Sequence, residues 1–272
     1  MSYHNEYDDV KSHTSWTNEF LEEPRQAEMK ILSLIEGEYS SSAEFRILDL
    51  GCGDGSFTKH LARNFPNAEV YGFDPARKLI ASLRKSCNNI TWRQFDALDP
   101  ALEDSLRNYF DCIVVSAVTQ VLSSDEMNAG SALDKIEEFF KTVKALTKPE
   151  TGLVINFDGY HDYPEYKLIS HSWESDQSYA DAELADSSRL KQCTYSYPSV
   201  KWLREMMLRL GFERIDVYPF YLTNCTIDCN HEPGKTFTKR SISGNTLSML
   251  GLVEQPWKHV VAYTSKPSRK DV

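Results

Sequence analysis

Apolar positions in the first 160 residues alternate between two rhythms. Short runs rich in β-branched and aromatic residues cover 45–50, 69–73, 90–95, 111–116 and 152–157, and each has the length of a buried strand. Between them, apolar residues recur at helical spacing over 56–65, 75–86, 101–108 and 125–146. In the last of these Leu133, Ile136, Phe139, Phe140 and Val143 fall on one face, and Pro149 followed by Thr151-Gly152 turns the chain into the next strand. Strands alternating with helices predict βαβ units around a parallel sheet. A further helical run over 24–35 precedes them, with Met29, Leu32 and Ile35 as its apolar face.

After the fifth strand the rhythm breaks. Residues 158–196 are polar and rich in Tyr, Ser, Asp and His, and they are too long for a bare connector, which points to an inserted element or a lid. A helix over 199–210, stopped by Gly211, and a strand over 212–218 restore the pattern. A second interruption precedes a final strand over 257–264. The economical organisation is one domain over 1–272, with an amino-terminal region to residue 40, a core over 41–157, and insertions over 158–197 and 219–256.

The sharpest local signal is RILDLGCGDGSF, where a strand ending near Asp49 runs into Gly51, Gly53 and Gly55 just before a helix. Glycines there let the backbone turn sharply and approach a ligand closely. The dinucleotide fingerprint needs its third Gly or Ala at position 56, which is Ser56, so the string departs from a nicotinamide site. Asp49 also sits badly beside a pyrophosphate but suits a cationic amino group. Asp74, at the end of the second strand, follows the last glycine at nearly the spacing where an acid accepts both ribose hydroxyls. Asp96 ends the third strand, where it can accept a hydrogen bond from the amine of adenine. Three strand-end acids and three glycines describe a ligand with an ammonium, a ribose and an adenine but no phosphate, and S-adenosylmethionine has that composition. Cys52 inside the loop reads as a small packed residue.

On these residues the chain resembles the class I S-adenosylmethionine-dependent methyltransferases, with the likeness strongest over 40–160. The resemblance implies a Rossmann-like seven-stranded mixed α/β sheet in the order 3-2-1-4-5-7-6, its seventh strand antiparallel. It implies a cofactor lying over the carboxyl ends of the first two strands, touching Asp49, Gly51, Cys52, Gly53, Gly55, Asp74, Pro75, Asp96 and Ala97, with Ser116 and Gln120 of the segment after strand four at the acceptor junction. It also implies S-adenosyl-L-homocysteine as the product, and an amino-terminal segment that folds over the cofactor as a helical lid.

Composition narrows the acceptor. Forty acidic against 30 basic residues give a net charge of −10, and no dense Lys/Arg run offsets it, which disfavours nucleic acid. The amino terminus lacks the basic start and apolar stretch of a secretory signal, and no apolar run reaches the roughly 20 residues of a membrane span. The six cysteines lack the spacing of a disulfide framework, so reduced thiols and a cytoplasmic location are expected. The acceptor is therefore expected to be a small molecule, methylated on nitrogen or oxygen, with an amine favoured by a loose likeness to histamine N-methyltransferases; the alternatives are an RNA or protein methyltransferase, a nicotinamide-dependent oxidoreductase, or a protein that holds S-adenosylmethionine without catalysis.

Acceptor-side residues are expected in the insertions, because loops beyond the strand carboxyl ends form the crevice of such sheets. His161 is the candidate base, with Tyr160 and Asp158 beside it; a histidine in a polar loop can equally be structural. Tyr7, Trp16, Tyr163 and Trp173 could surround a cationic amine or simply pack the insertions onto the core. Residue 116 onward reads Ser-Ala-Val-Thr, without the Asn-Pro-Pro-Tyr string of base and amide methylation or the acids of metal-dependent catechol methylation, so no metal is expected. Cys225, Asp228, Cys229 and His231 crowd the second insertion but lack the paired spacing of a structural zinc site. Their segment is loosely similar in position to the one before the last strand of histamine N-methyltransferases.

Overall fold

The computed structural model describes residues 26–40, 42–86, 89–99, 104–119, 122, 129–158, 167–173, 191–220, 225–228, 239–242 and 257–265. A helix α1 (Gln26–Glu38) precedes β1 (Arg46–Leu50), α2 (Ser56–Asn64), β2 (Glu69–Asp74), α3 (Arg77–Ser86) and β3 (Thr91–Gln94). β4 (Cys112–Ser116), α4 (Ala129–Leu146) and β5 (Leu153–Asp158) complete the alternating half. The remainder holds β6 (Lys167–Trp173), β7 (Lys191–Tyr197), α5 (Val200–Arg209), β8 (Arg214–Phe220), β9 (Cys225–Asp228), β10 (Lys239–Ile242) and β11 (Trp257–Tyr263).

Seven strands form one sheet in the order β3-β2-β1-β4-β5-β11-β8. Counting only the strands of that sheet, this is the expected order 3-2-1-4-5-7-6. β1 to β5 are parallel, and β11 runs antiparallel between β5 and β8.

Both faces of the sheet are covered, which is why the central strands are apolar without alternation. On one face Ile47, Cys112, Val114 and Ile155 pack in a core with Ile31 and Ile35 of α1, Leu61 of α2 and Ile80 of α3. On the other, Leu48, Ile113, Val115 and Val154 meet Ile136, Phe139 and Phe140 of α4 and Leu203 and Met206 of α5. α5 starts cleanly because the Ser199 hydroxyl accepts the Trp202 N–H at 3.1 Å.

The structure departs from the pattern reading in four places. Within 101–108 the described residues hold only a single 3₁₀ turn, Asp104–Leu106. Asn108, Tyr109 and Phe110 direct their N–H groups to the carbonyls of Ala145 and Leu146 at the end of α4, so these donors are not available to extend a helix. On α1 the buried face is Ile31, Leu32 and Ile35, whereas Met29 is 48 % exposed. The boundaries of the insertions also move. Asp158 pairs with Lys258, and Pro219 and Phe220 pair with Lys258 and Trp257, so these residues belong to the sheet. Finally, the insertions contain two antiparallel strand pairs, β6 with β7 and β9 with β10, that their polar sequences conceal. Among the described residues, no helix is long and apolar enough to cross a membrane.

Candidate functional site

β1 and β4 are neighbours, yet the chain leaves β1 across one face of the sheet and β4 across the other, which opens a crevice at their carboxyl ends. The glycine loop fills the β1 side. Gly51, Gly53 and Gly55 have φ of +82°, +51° and +73°, a left-handed conformation that other residues adopt at a cost. Space also excludes a side chain: a Cβ on Gly51 would collide with Val118, and one on Gly55 with Trp92 and Leu83.

The loop is fastened to β2. Gly51 and Cys52 both donate their N–H to the Phe73 carbonyl, at 2.7 and 3.0 Å. Asp74, only 7 % exposed, accepts the Gly53 N–H on Oδ2 at 3.0 Å and the Ala76 N–H on Oδ1 at 2.8 Å. One carboxylate therefore fixes both the glycine loop and the turn into α3. Each oxygen can accept more than one hydrogen bond, so these contacts leave acceptor capacity for a ligand. The Pro75 carbonyl accepts from Gln94 Nε2 at 3.3 Å, which ties the same turn to β3.

Asp49 lies beneath the loop, 3 % exposed, with Oδ2 accepting the Thr58 hydroxyl at 2.6 Å. Burial pushes its carboxyl up to about 7; the Thr58 hydrogen bond opposes this, and the negative charges of Glu28, Asp74 and Asp54 add to it. Burial, then Asp49 and Asp74, likewise push the Cys52 thiol up, so Cys52 is an inert packed thiol rather than a nucleophile. Asp54, just before the Gly55 cap of α2, accepts the Ser56 N–H at 3.0 Å and so tightens the end of the loop, and the Ser56 hydroxyl oxygen is buried with no partner among the described residues.

Further along, Asp96 accepts the Leu98 N–H at 2.9 Å in a turn after β3, and Ala97 is buried beside it. Ser116 ends β4 half-buried. Ala117 follows at φ +56°, and its N–H donates to the Phe157 carbonyl at 2.8 Å. A non-glycine residue held in that conformation marks a place where the surroundings override local preference. Here it carries the chain over the crevice and sets Val118 against Gly51.

The fold thus gathers Asp49, Gly51, Cys52, Gly53, Gly55, Asp74 and Pro75 about one loop, with Asp96, Ala97 and Ser116 at neighbouring strand ends. Asp158 ends β5 and Trp173 ends β6. Gln120, Tyr160, His161, Tyr163, Tyr7 and Trp16 lie outside the described residues, as do Cys229 and His231. Among the described residues, no group of three His, Cys, Asp or Glu side chains could hold a metal ion. Thr58 and Trp92 escape sequence reasoning, because each reaches the loop from a different element, and Val118, although in the segment expected at the junction, gives no sign of its contact with Gly51. Only Thr58 leaves a local trace, a hydroxyl in the first turn of the helix that follows the glycines.

What the loop can hold follows from its donors and acceptors. Buried acids crowd it, and its backbone donors at Gly51, Cys52 and Gly53 are already bound within the fold. That arrangement repels phosphate and suits a cationic ligand bearing hydroxyls.

Residues 47–149 match the family model described as a methyltransferase domain. The chain is 37 % identical over 95 residues to a malonyl-[acyl-carrier protein] O-methyltransferase of Bacillus cytotoxicus, a match covering 34 % of this chain and 32 % of that one. It is also 37 % identical over 60 residues to a trans-aconitate 2-methyltransferase of Acidovorax sp., covering 22 % and 23 %. These matches span about a third or less of the curated relatives' own length. In fold it is similar to the Burkholderia thailandensis 1,6-didemethyltoxoflavin-N1-methyltransferase, solved with S-adenosylhomocysteine, at a TM-score of 0.55, 12 % identity, and 98 % and 92 % coverage. A Haemonchus contortus phosphoethanolamine N-methyltransferase bound to S-adenosyl-L-methionine gives 0.55 at 17 % identity, covering 98 % and 60 %.

Proposed function

We infer that this protein, whose residues 47–149 match a methyltransferase domain, is a class I S-adenosylmethionine-dependent methyltransferase that binds that cofactor and moves its methyl group to nitrogen or oxygen of a small molecule. The observation that carries the reading is the acid-lined glycine loop at the β1 and β4 carboxyl ends, which suits a ligand with an ammonium and a ribose but no phosphate. Asp49 would face the ammonium, Asp74 the ribose hydroxyls and Asp96 the adenine amine. The left-handed glycines let the backbone come within van der Waals reach of the ligand. When bound, the cofactor supplies an activated methyl on sulfur.

The chain's own part in transfer is positioning, since holding a nucleophile in line with the methyl accounts for much of the rate. Ser116, Ala117 and Val118 line the junction between the cofactor loop and the acceptor side. His161, with Tyr160 and Asp158, is assigned the proton of the acceptor, and Tyr163, Trp173, Tyr7 and Trp16 its binding. A net charge of −10 favours an amine acceptor. A carboxylic acid is the second reading, favoured by the names of the two curated relatives. The setting is assigned to the cytoplasm, where Cys52 and Cys112 would stay free thiols as they are here.

The test is incubation with methyl-labelled S-adenosylmethionine and a panel of amines, phenols and carboxylates, with product mass as the readout. A labelled amine is expected. Failure to bind S-adenosylhomocysteine by calorimetry overturns the cofactor assignment, and a labelled carboxylate alone replaces the amine reading with the second.

A further inference from the structure

The amino-terminal helix brings a further acid to the site. The carboxyl-terminal turn of α1 is tied to the amino ends of the parallel strands. The Tyr39 hydroxyl, just past the helix, shares its proton between the carbonyls of Asp111 at 3.0 Å and Thr151 at 3.2 Å, which lie before β4 and β5. The Tyr39 ring stacks on Phe45 with centroids 4.3 Å apart. Tyr263, at the end of antiparallel β11, donates to Glu38 Oε1 at 2.9 Å on the same edge of the sheet. Thirteen helical residues extend about 20 Å, and a five- or six-residue strand about 17–20 Å. A helix anchored at the strand amino ends and packed along the sheet therefore delivers its first turn to the strand carboxyl ends, where the glycine loop lies.

That first turn carries Glu28. With Ile31, Leu32 and Ile35 it follows i, i+3, i+4, i+7 spacing, and those three apolar residues are buried in the same core as Cys52, Phe57 and Leu61. Glu28 is itself half-buried, one turn beyond the apolar stripe in the direction of the loop. Its charge is among those that, after burial, raise the Asp49 carboxyl above its usual range. A second carboxylate set toward a buried Asp makes ionising that Asp harder unless a cation lies between them. Neither the matched domain, which starts at residue 47, nor the strand-end pattern includes this residue.

We propose that Glu28 and Asp49 together form the pocket for the ammonium of the cofactor's amino-acid end, so that the amino-terminal helix selects ligands that carry that group. The proposal rests on the cofactor reading above.

Calorimetry on the full chain tests it with two ligands that share the adenosine: S-adenosylhomocysteine, which has the amino-acid end, and methylthioadenosine, which lacks it. In Glu28→Gln, affinity for S-adenosylhomocysteine should fall about tenfold while that for methylthioadenosine stays within about twofold. Glu28→Asp, which keeps the charge, should recover most of the loss. Glu36→Gln, on the exposed side of the same helix, should change neither. Unchanged S-adenosylhomocysteine affinity in Glu28→Gln overturns the proposal and leaves the cofactor reading standing, as does an equal loss of both ligands, which would mark a fold effect. Wild-type protein that binds neither ligand overturns both.

Discussion

Replacing Asp49 with Asn should make the protein more stable and less able to bind its ligand. The Asp49 carboxyl is raised to about 7 in the fold, against about 4 in an unfolded chain, because burial penalises its charge. The fold therefore binds this proton more tightly than the unfolded chain does. The stability gained from that is complete below about pH 4 and is lost as pH climbs toward 7. Three pH units at about 1.4 kcal/mol each amount to about 4 kcal/mol, an upper limit for the penalty at pH 8. Asn has the same shape, can still accept the Thr58 hydroxyl, and carries no charge to desolvate. The assay is urea or thermal unfolding of both proteins, without ligand, from pH 5 to pH 8. Other groups titrate alike in the two, so the difference isolates position 49. The advantage of the variant should widen by about 3 kcal/mol across that interval, on the order of 6–12 °C in Tm for a chain of this size. A difference that stays flat to within about 0.5 kcal/mol would refute the argument, because it would mean that Asp49 ionises freely where it is. The same variant should lose S-adenosylhomocysteine affinity, since the charge that costs stability is the one assigned to the ligand's ammonium.

Asp74→Ala removes the acceptor for both Gly53 and Ala76 N–H groups, and calorimetry should show S-adenosylhomocysteine and methylthioadenosine affinity falling together by tenfold or more; retained affinity in a folded variant would remove Asp74 from the ribose site. His161→Ala should lower kcat with cofactor affinity intact and abolish the acidic limb of the pH–rate profile, whereas an unchanged profile would return His161 to an ordinary loop histidine.

The alternating half of the molecule was legible because its signals are local. A strand buried on both faces is a continuous apolar run, and a left-handed turn after it demands glycine, so Asp49 and Gly51 to Gly55 announce themselves within a dozen residues. Tertiary contacts leave no such trace. Val118 meets Gly51 from across the crevice, and Trp92 closes on Gly55 from β3, and nothing in either neighbourhood says so. The apolar face of α1 shows the same limit. Met29, Leu32 and Ile35 fit helical spacing as well as Ile31, Leu32 and Ile35 do, and only the docking of the helix decides between them. Past the turn at Asp104–Leu106, the end of α4 takes the N–H groups of Asn108, Tyr109 and Phe110, a tertiary contact that local propensity does not show. The strand pairs of the insertions were hidden because β6 and β10 carry no strict period-two alternation, and β7, which does alternate at Cys193, Tyr195 and Tyr197, and the short β9 do not by themselves reveal a partner.

The place of β11 bears on how the chain reaches this state. It is the last strand of the sheet in sequence, yet it lies inside the sheet, pairing with β5 on one side and β8 on the other. During synthesis, five parallel strands can assemble while the edges of β5 and β8 have no partner, and such open edges invite pairing with other chains. Closure waits for residues 257–263, and so does the Tyr263 to Glu38 hydrogen bond, which spans 225 positions. Folding is then expected to end with two coupled events at opposite ends of the chain, the final strand sliding into its slot and the amino-terminal helix being latched by it. A nascent chain stopped short of residue 257 would hold the glycine loop but leave the sheet open, a species for chaperones rather than for ligand.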